Sequence, residues 1–221
     1  MYRLLLVLVV LVYTGCEQKE VQIQEDVEDS TSVKSDHDSA DYSTGESKFN
    51  PFVVYKDKGL PFRFTPSGYM PDGQCLTLND VWQENCHEGK SCIKVIYDIP
   101  CSLEGRQWAG IYWLNPPDNW GDRKGGYNLT GAQRLVFWAK GEKGAEVIEE
   151  FKVGGVGSMK EYPDSDSASI GPVILMHEWR EYIIDLRGKD LSYISGGFAW
   201  VANVNSNPEA CTFYLDNIRF E

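Results

Sequence analysis

Residues 51–221 of this 221-residue chain predict an all-β domain, and three observations predict it. Short apolar and aromatic runs recur, separated by clusters of Gly, Pro, Asn and Asp, as expected of many short strands joined by turns. Two of the runs alternate with a period of two. No segment sustains an apolar period of 3.6 over the length of a typical helix. Together they indicate a β-sandwich or barrel. About 170 residues suit one domain, large enough to bury a core without staples.

In chain order the expected strands are 52–56, 75–79, 91–98, 108–114, 134–140, 147–153, 172–176, 179–186, 197–203 and 211–220. A short helix within 77–83 is the alternative there. Turn signals stand between the runs at Pro66-Ser67-Gly68, Pro71-Asp72-Gly73, Asn115-Pro116-Pro117, Gly125-Gly126, Gly154-Gly155 and Gly196-Gly197. Over 147–153, Val147, Phe151 and Val153 share one face and Ile148, Glu150 and Lys152 the other. Over 179–186, Tyr182, Ile184 and Leu186 face one way and Glu181 and Asp185 the other. Such alternation means one buried and one wetter face. Strand 134–140 is apolar on both sides, with Leu135 and Phe137 opposite Val136 and Trp138, so both faces are covered or one meets a ligand.

The N-terminus has a different character. Nine apolar residues, Leu4–Val12, follow Arg3, too few for a membrane-spanning helix, which needs about 20. One positive charge, a short apolar run and small residues form an export signal. Val12-Tyr13-Thr14-Gly15-Cys16 resembles the lipobox of bacterial lipoproteins. That resemblance implies a signal peptide over 1–15 and a membrane anchor of lipid on Cys16. Glu17 after the cysteine, by the same resemblance, points to the outer membrane of the cell envelope. Residues 17–50 hold ten acidic residues against three lysines, a net of −7, with no Trp, Phe or Leu before Phe49. Such a stretch cannot bury enough apolar surface to order itself, and its charges extend it. Residues 16–50 therefore read as a tether. The chain carries −12 in all, and residues 51–221 are themselves acidic. This argues against nucleic acid as a partner.

Beyond Cys16 the cysteines are Cys75, Cys86, Cys92, Cys101 and Cys211. Export makes disulfides reasonable, and an odd count leaves one thiol over. Cys75, Cys86, Cys92 and Cys101 allow three pairings. Cys86 with Cys92, closing a short loop around Gly89, is the first choice. Zinc ranks below it, because the spacings lack a Cys-x-x-Cys pair and His87 has no second histidine nearby.

The densest aromatic stretch runs from Trp108 to Trp120. Flat rings stack on the apolar faces of sugars, and indole adds an N–H for a hydroxyl. Trp113 and Trp120 are the expected platform, Asp118 and Asn119 the hydrogen-bonding groups, and Tyr127 an extension. Trp108 and Trp113 are five apart and point to opposite faces of a strand, so at least one is core. Trp138 and Trp200 fit a concave sheet face or the core equally well. No Gly-x-Ser-x-Gly, nucleotide-binding or triad pattern occurs. Glu149 and Glu150 face oppositely, and Asp164 and Asp166 sit in a Ser-rich turn, so the paired carboxylates of glycoside hydrolysis are not in evidence. The domain is not expected to be an enzyme.

Arg134-Leu-Val-Phe-Trp-Ala-Lys-Gly141, Glu150-Phe-Lys-Val-Gly-Gly155, Trp179-Arg-Glu-Tyr-Ile-Ile-Asp-Leu186 and Thr212-Phe-Tyr-Leu-Asp-Asn-Ile-Arg219, in this order, resemble the galactose-binding-like carbohydrate-binding modules. The resemblance implies a jelly-roll β-sandwich over 51–221 and a glycan partner. It also implies a structural calcium held by Asp216 in the last strand and Asp57 after the first, although calcium wants six to eight oxygens. A sandwich also suits contact with a protein partner, because this fold does not dictate function.

Overall fold

The computed structural model describes residues 49–57 and 63–221. The expected signal segment, Cys16 and residues 17–48 of the tether lie outside the described residues.

The strands are β1 (Phe52–Tyr55), β2 (Thr65–Pro71), β3 (Leu76–Trp82), β4 (Cys92–Tyr97), β5 (Trp108–Leu114), β6 (Arg134–Gly141), β7 (Val147–Ile148), β8 (Glu150–Gly154), β9 (Ser167–Ile170), β10 (Val173–Ile174), β11 (Arg180–Asp185), β12 (Gly196–Asn203) and β13 (Cys211–Phe220). The first sheet runs β11-β6-β13-β4-β3, with β1 also paired to β13. The second runs β2-β5-β12-β8-β9, and β7 and β10 form a small pair. All the pairings are antiparallel. This is an antiparallel jelly-roll β-sandwich, as expected.

Strand parity builds the core. Leu135, Phe137 and Ala139 on β6 and Phe213 and Leu215 on β13 point inward from the first sheet. Ile111 and Trp113 on β5, Phe151 and Val153 on β8, and Phe198 and Trp200 on β12 meet them from the second. The rings interlock across the layers, with centroids 4.6 Å apart for Phe137 and Phe151, 5.2 Å for Phe137 and Phe198, and 4.9 Å for Trp200 and Phe213. Such pairs add about 0.5–1.5 kcal/mol each beyond their area burial.

The structure departs from expectation at identifiable points. Strand β3 forms where 75–79 was expected and runs on to Trp82, so the alternative helix within 77–83 does not form. Strands β2 and β9 were not expected. Thr65-Pro-Ser-Gly-Tyr-Met-Pro71 carries two prolines and a glycine, read as turns. Yet β2 is an edge strand, where a missing N–H faces no partner. Ser167-Ala-Ser-Ile170 is polar because it forms the opposite edge. The expected strand 147–153 breaks at Glu149, whose N–H is taken by the Val201 carbonyl. The break resets the alternation, so Ile148 is buried and Val147 is half-buried, the reverse of the expected faces.

Two disulfides brace the first sheet's β3–β4 side, Cys75–Cys101 and Cys86–Cys92. The second is the pairing expected first, and no thiolate of the four is left for zinc. Cys211 is free and buried on β13.

Candidate functional site

The outer face of the first sheet carries an aromatic and cationic cluster. Register places it there. Trp138 on β6 lies opposite Asp216 on β13, and Lys140 lies opposite Tyr214. Tyr214 in turn faces Lys94 on β4, and Lys94 faces Asn79 on β3. Side chains two apart share a face, so Trp138, Lys140, Tyr214 and Lys94 stand together. Trp82 joins from the end of β3 and Trp179 from just before β11.

Tyr214 is the centre. The rings of Trp82 and Trp179 each lie 6.4 Å from its centroid. Lys94 Nζ sits 4.1 Å over Trp82 and 5.4 Å over Tyr214. Lys140 Nζ sits 5.6 Å over Trp179 and 4.7 Å over Tyr214. An ammonium over an aromatic face within about 6 Å is attracted by the ring quadrupole. The Tyr214 hydroxyl donates to a Glu142 carboxylate oxygen. Burial first, and then this carboxylate, push its pKa far up, so it stays a protonated donor. Trp82, Trp138 and Trp179 are half-buried.

A loop rides over this face. Residues 86–92 are closed by Cys86–Cys92 and clamped by two carboxylates. Asp216 Oδ2 accepts the N–H groups of His87 (3.1 Å) and Glu88 (3.0 Å), and its Oδ1 accepts that of Asn217. Asp57 Oδ1 accepts the N–H groups of Lys90 (2.9 Å) and Ser91 (2.8 Å). Gly89 has φ +72°, and a β-carbon there would collide with Asp57 Oδ2, so this turn requires glycine. The loop sets the His87 ring flat on Trp138, with centroids 3.6 Å apart at 13°. Trp179 Nε1 donates to the Asn85 carbonyl and Trp82 Nε1 to that of Glu84, so two platform tryptophans also pin the approach to the loop.

Asp57 and Asp216, expected to ligate calcium, hold backbone N–H groups instead. Calcium needs six to eight converging oxygens, and N–H donors converge here, so the pair does not fit a calcium ion. Among the described residues no group of three or more His, Cys, Asp or Glu side chains is placed to hold a metal. Asp216 is fully buried, and its burial raises the carboxyl to about 6 despite the three N–H groups.

The residues expected to form the platform do not come together. Trp113 is wholly buried, its ring 5.4 Å from Phe198, because odd-numbered positions of β5 face inward; it has no face left for a ligand. Asn119 is also buried, and its side chain ties its own loop, accepting from Gly121 and Arg123 and donating to the Arg123 carbonyl. Tyr127 is half-buried against Phe52 and Phe64, 5.0 Å and 5.2 Å away. Trp120 is half-buried on the outer face of the second sheet, edge-on to Tyr112 at 5.8 Å, and Asp118 is exposed nearby in a left-handed turn at φ 58°. Of the two undecided tryptophans, Trp200 is core and Trp138 faces outward. Trp82, Trp179, Tyr214, Lys94 and Lys140 were missed. The available signal was β6 itself, whose second apolar face and Lys140 needed an explanation. Asp164, in the Ser-rich turn, accepts from Val156, Ser195 and Gly196 and holds two loops.

No family model and no curated protein matches the chain. Solved structures do. The fold aligns with a family 30 carbohydrate-binding module at a TM-score of 0.51 and 15% identity, covering 78% of this chain and 88% of that one. It aligns with the family 30 module of a cellulosomal cellulase of Clostridium thermocellum at 0.50 and 14%, covering 78% and 97%. The fold is the β-sandwich of carbohydrate-binding modules. At these identities the likeness is one of fold, and the aromatic face described above is read from this chain alone.

Proposed function

We propose that the chain is a non-catalytic glycan-binding lipoprotein. Residues 51–221 bind sugar on the outer face of the first sheet, through the rings of Trp82 and Trp179. The observation that carries the reading is the gathering of two part-open indoles, Trp82 and Trp179, around Tyr214 on one sheet face. A sugar ring presents one apolar C–H side, which stacks on such rings, while the cluster's ammonium groups can meet its hydroxyls. The carbohydrate-binding-module fold supports the same reading. Lipid on Cys16 anchors the domain to the envelope, in the outer membrane, and residues 17–50 hold it clear of the surface. Two or more acyl chains hold a protein stably where one does not.

A glycan-array screen of the chain tests the binding, with Trp179→Ala, Trp82→Ala and, as a control on the opposite sheet, Trp120→Ala. Binding lost in the first two and kept in the third places the site on the first sheet. Binding lost only with Trp120→Ala moves it to the second. No glycan bound at all favours a protein partner. Metabolic labelling with palmitate, compared with Cys16→Ala, followed by membrane fractionation, tests the anchor.

A further inference from the structure

We propose that this face takes an anionic glycan, whose sugar rings carry carboxylate or sulfate groups; the inference rests on the glycan-binding reading of the same face. The observation behind it is Lys140. The residue is 8% exposed in the sheet, and it has no hydrogen bond or ion pair among the described residues. The seven ion pairs of the described residues use Lys56, Arg134, Lys152, Lys160, Arg187, Lys189 and Arg219, and neither Lys94 nor Lys140.

The stem of Lys140 is packed into the sheet face while its ammonium still reaches the surface, as long cationic side chains do, and no counter-charge meets it there. Ring faces hold the two ammoniums instead: Lys140 lies on Trp179 and Tyr214, and Lys94 lies on Trp82 and Tyr214. Rings hold a cation in place without neutralising it. Two such ammoniums on one tyrosine ring form a fixed positive pair inside the aromatic platform, in a chain whose net charge is −12. Glu142 is engaged by the tyrosine hydroxyl, and no carboxylate of Glu84, Glu142 or Glu146 comes within ion-pair distance of either lysine. A sugar ring stacked on Trp179 or Trp82 with an acidic substituent directed at Lys140 or Lys94 would supply the missing charge. Stacking and charge pairing then act on one ring, which a neutral glycan cannot match.

The test is titration calorimetry of the full chain in detergent micelles with polygalacturonate, dextran sulfate and a neutral mixed-linkage β-glucan, at low and high salt. The expected result is that at least one anionic polymer binds more tightly than the neutral glucan and that the advantage shrinks as salt rises. Lys140→Met, which keeps the apolar stem, is expected to weaken the anionic polymer roughly 10- to 100-fold, as for loss of a charged hydrogen bond, with little change for the glucan. Whichever anionic polymer binds identifies carboxylate or sulfate as the group recognised. Lys94→Met repeats the test if Lys140→Met does not fold. Neutral glucan bound as tightly as both polyanions, or polyanion binding unchanged by both variants, overturns the anionic inference and leaves the glycan-binding reading standing. No binding to any of the three polymers overturns the anionic inference, and the glycan array then decides the glycan-binding reading.

Discussion

The loop over Trp138 is held by two devices of different strength, and the structure says which one dominates. Cys86–Cys92 closes six residues, and the loop-entropy relation gives such a closure about 2 kcal/mol. Against it stand the two N–H bonds from His87 and Glu88 to Asp216. Hydrogen bonds to a charged group contribute about 1.5–3 kcal/mol each, so together they hold the loop by roughly 3–6 kcal/mol. The indole bonds from Trp82 and Trp179 to the carbonyls of Glu84 and Asn85 add about 1 kcal/mol apiece. The carboxylate clamp therefore outweighs the disulfide. Cys86→Ser/Cys92→Ser should lower global stability by about 2 kcal/mol in guanidinium unfolding, yet leave His87 stacked on Trp138. Proton NMR reads the stack directly, because a ring 3.6 Å from an indole is strongly shifted by its ring current. Asp216→Ala should release it. Random-coil His87 shifts in the double cysteine variant, with the rest of the spectrum native, would refute the reasoning.

Two further outcomes follow from buried titratable groups. Burial raises Asp216 from 3.8 to about 6 in the folded chain, so the folded state binds its proton more readily than the unfolded state does. The contribution is fully present below about pH 4 and is lost as pH rises through about 6, on the order of 3 kcal/mol in all. The Asp216 carboxyl carbon should titrate near 6 by NMR, and a midpoint at 3.8 or below would sink the assignment. Cys211, buried on β13 and pushed up to about 12 by that burial, should resist iodoacetamide in native buffer and react only on unfolding; prompt native labelling would contradict its placement.

The all-β class, most strands and the turns between them were legible in the sequence, and Cys86–Cys92 was its first choice among three pairings. Each of these is a local property: period-two alternation, Gly and Pro punctuation, or a short closure. The sequence could not rank the tryptophans. Trp113, Trp138 and Trp200 all sit in apolar runs, and only the stacking of two sheets made Trp113 and Trp200 core and left Trp138 facing out. The expected cluster at 113–127 failed because neighbours along the chain are not neighbours in a sandwich. There Trp113 falls in the core and Trp120 on the far sheet. The strand order β11-β6-β13-β4-β3 brings Trp82, Lys94, Lys140, Trp179 and Tyr214 together from five separate segments. Asp216 shows the same division. Its place in Leu-Asp-Asn-Ile was legible, but its role as the anchor of a loop 128 residues earlier depends on long-range pairing, which no local pattern encodes.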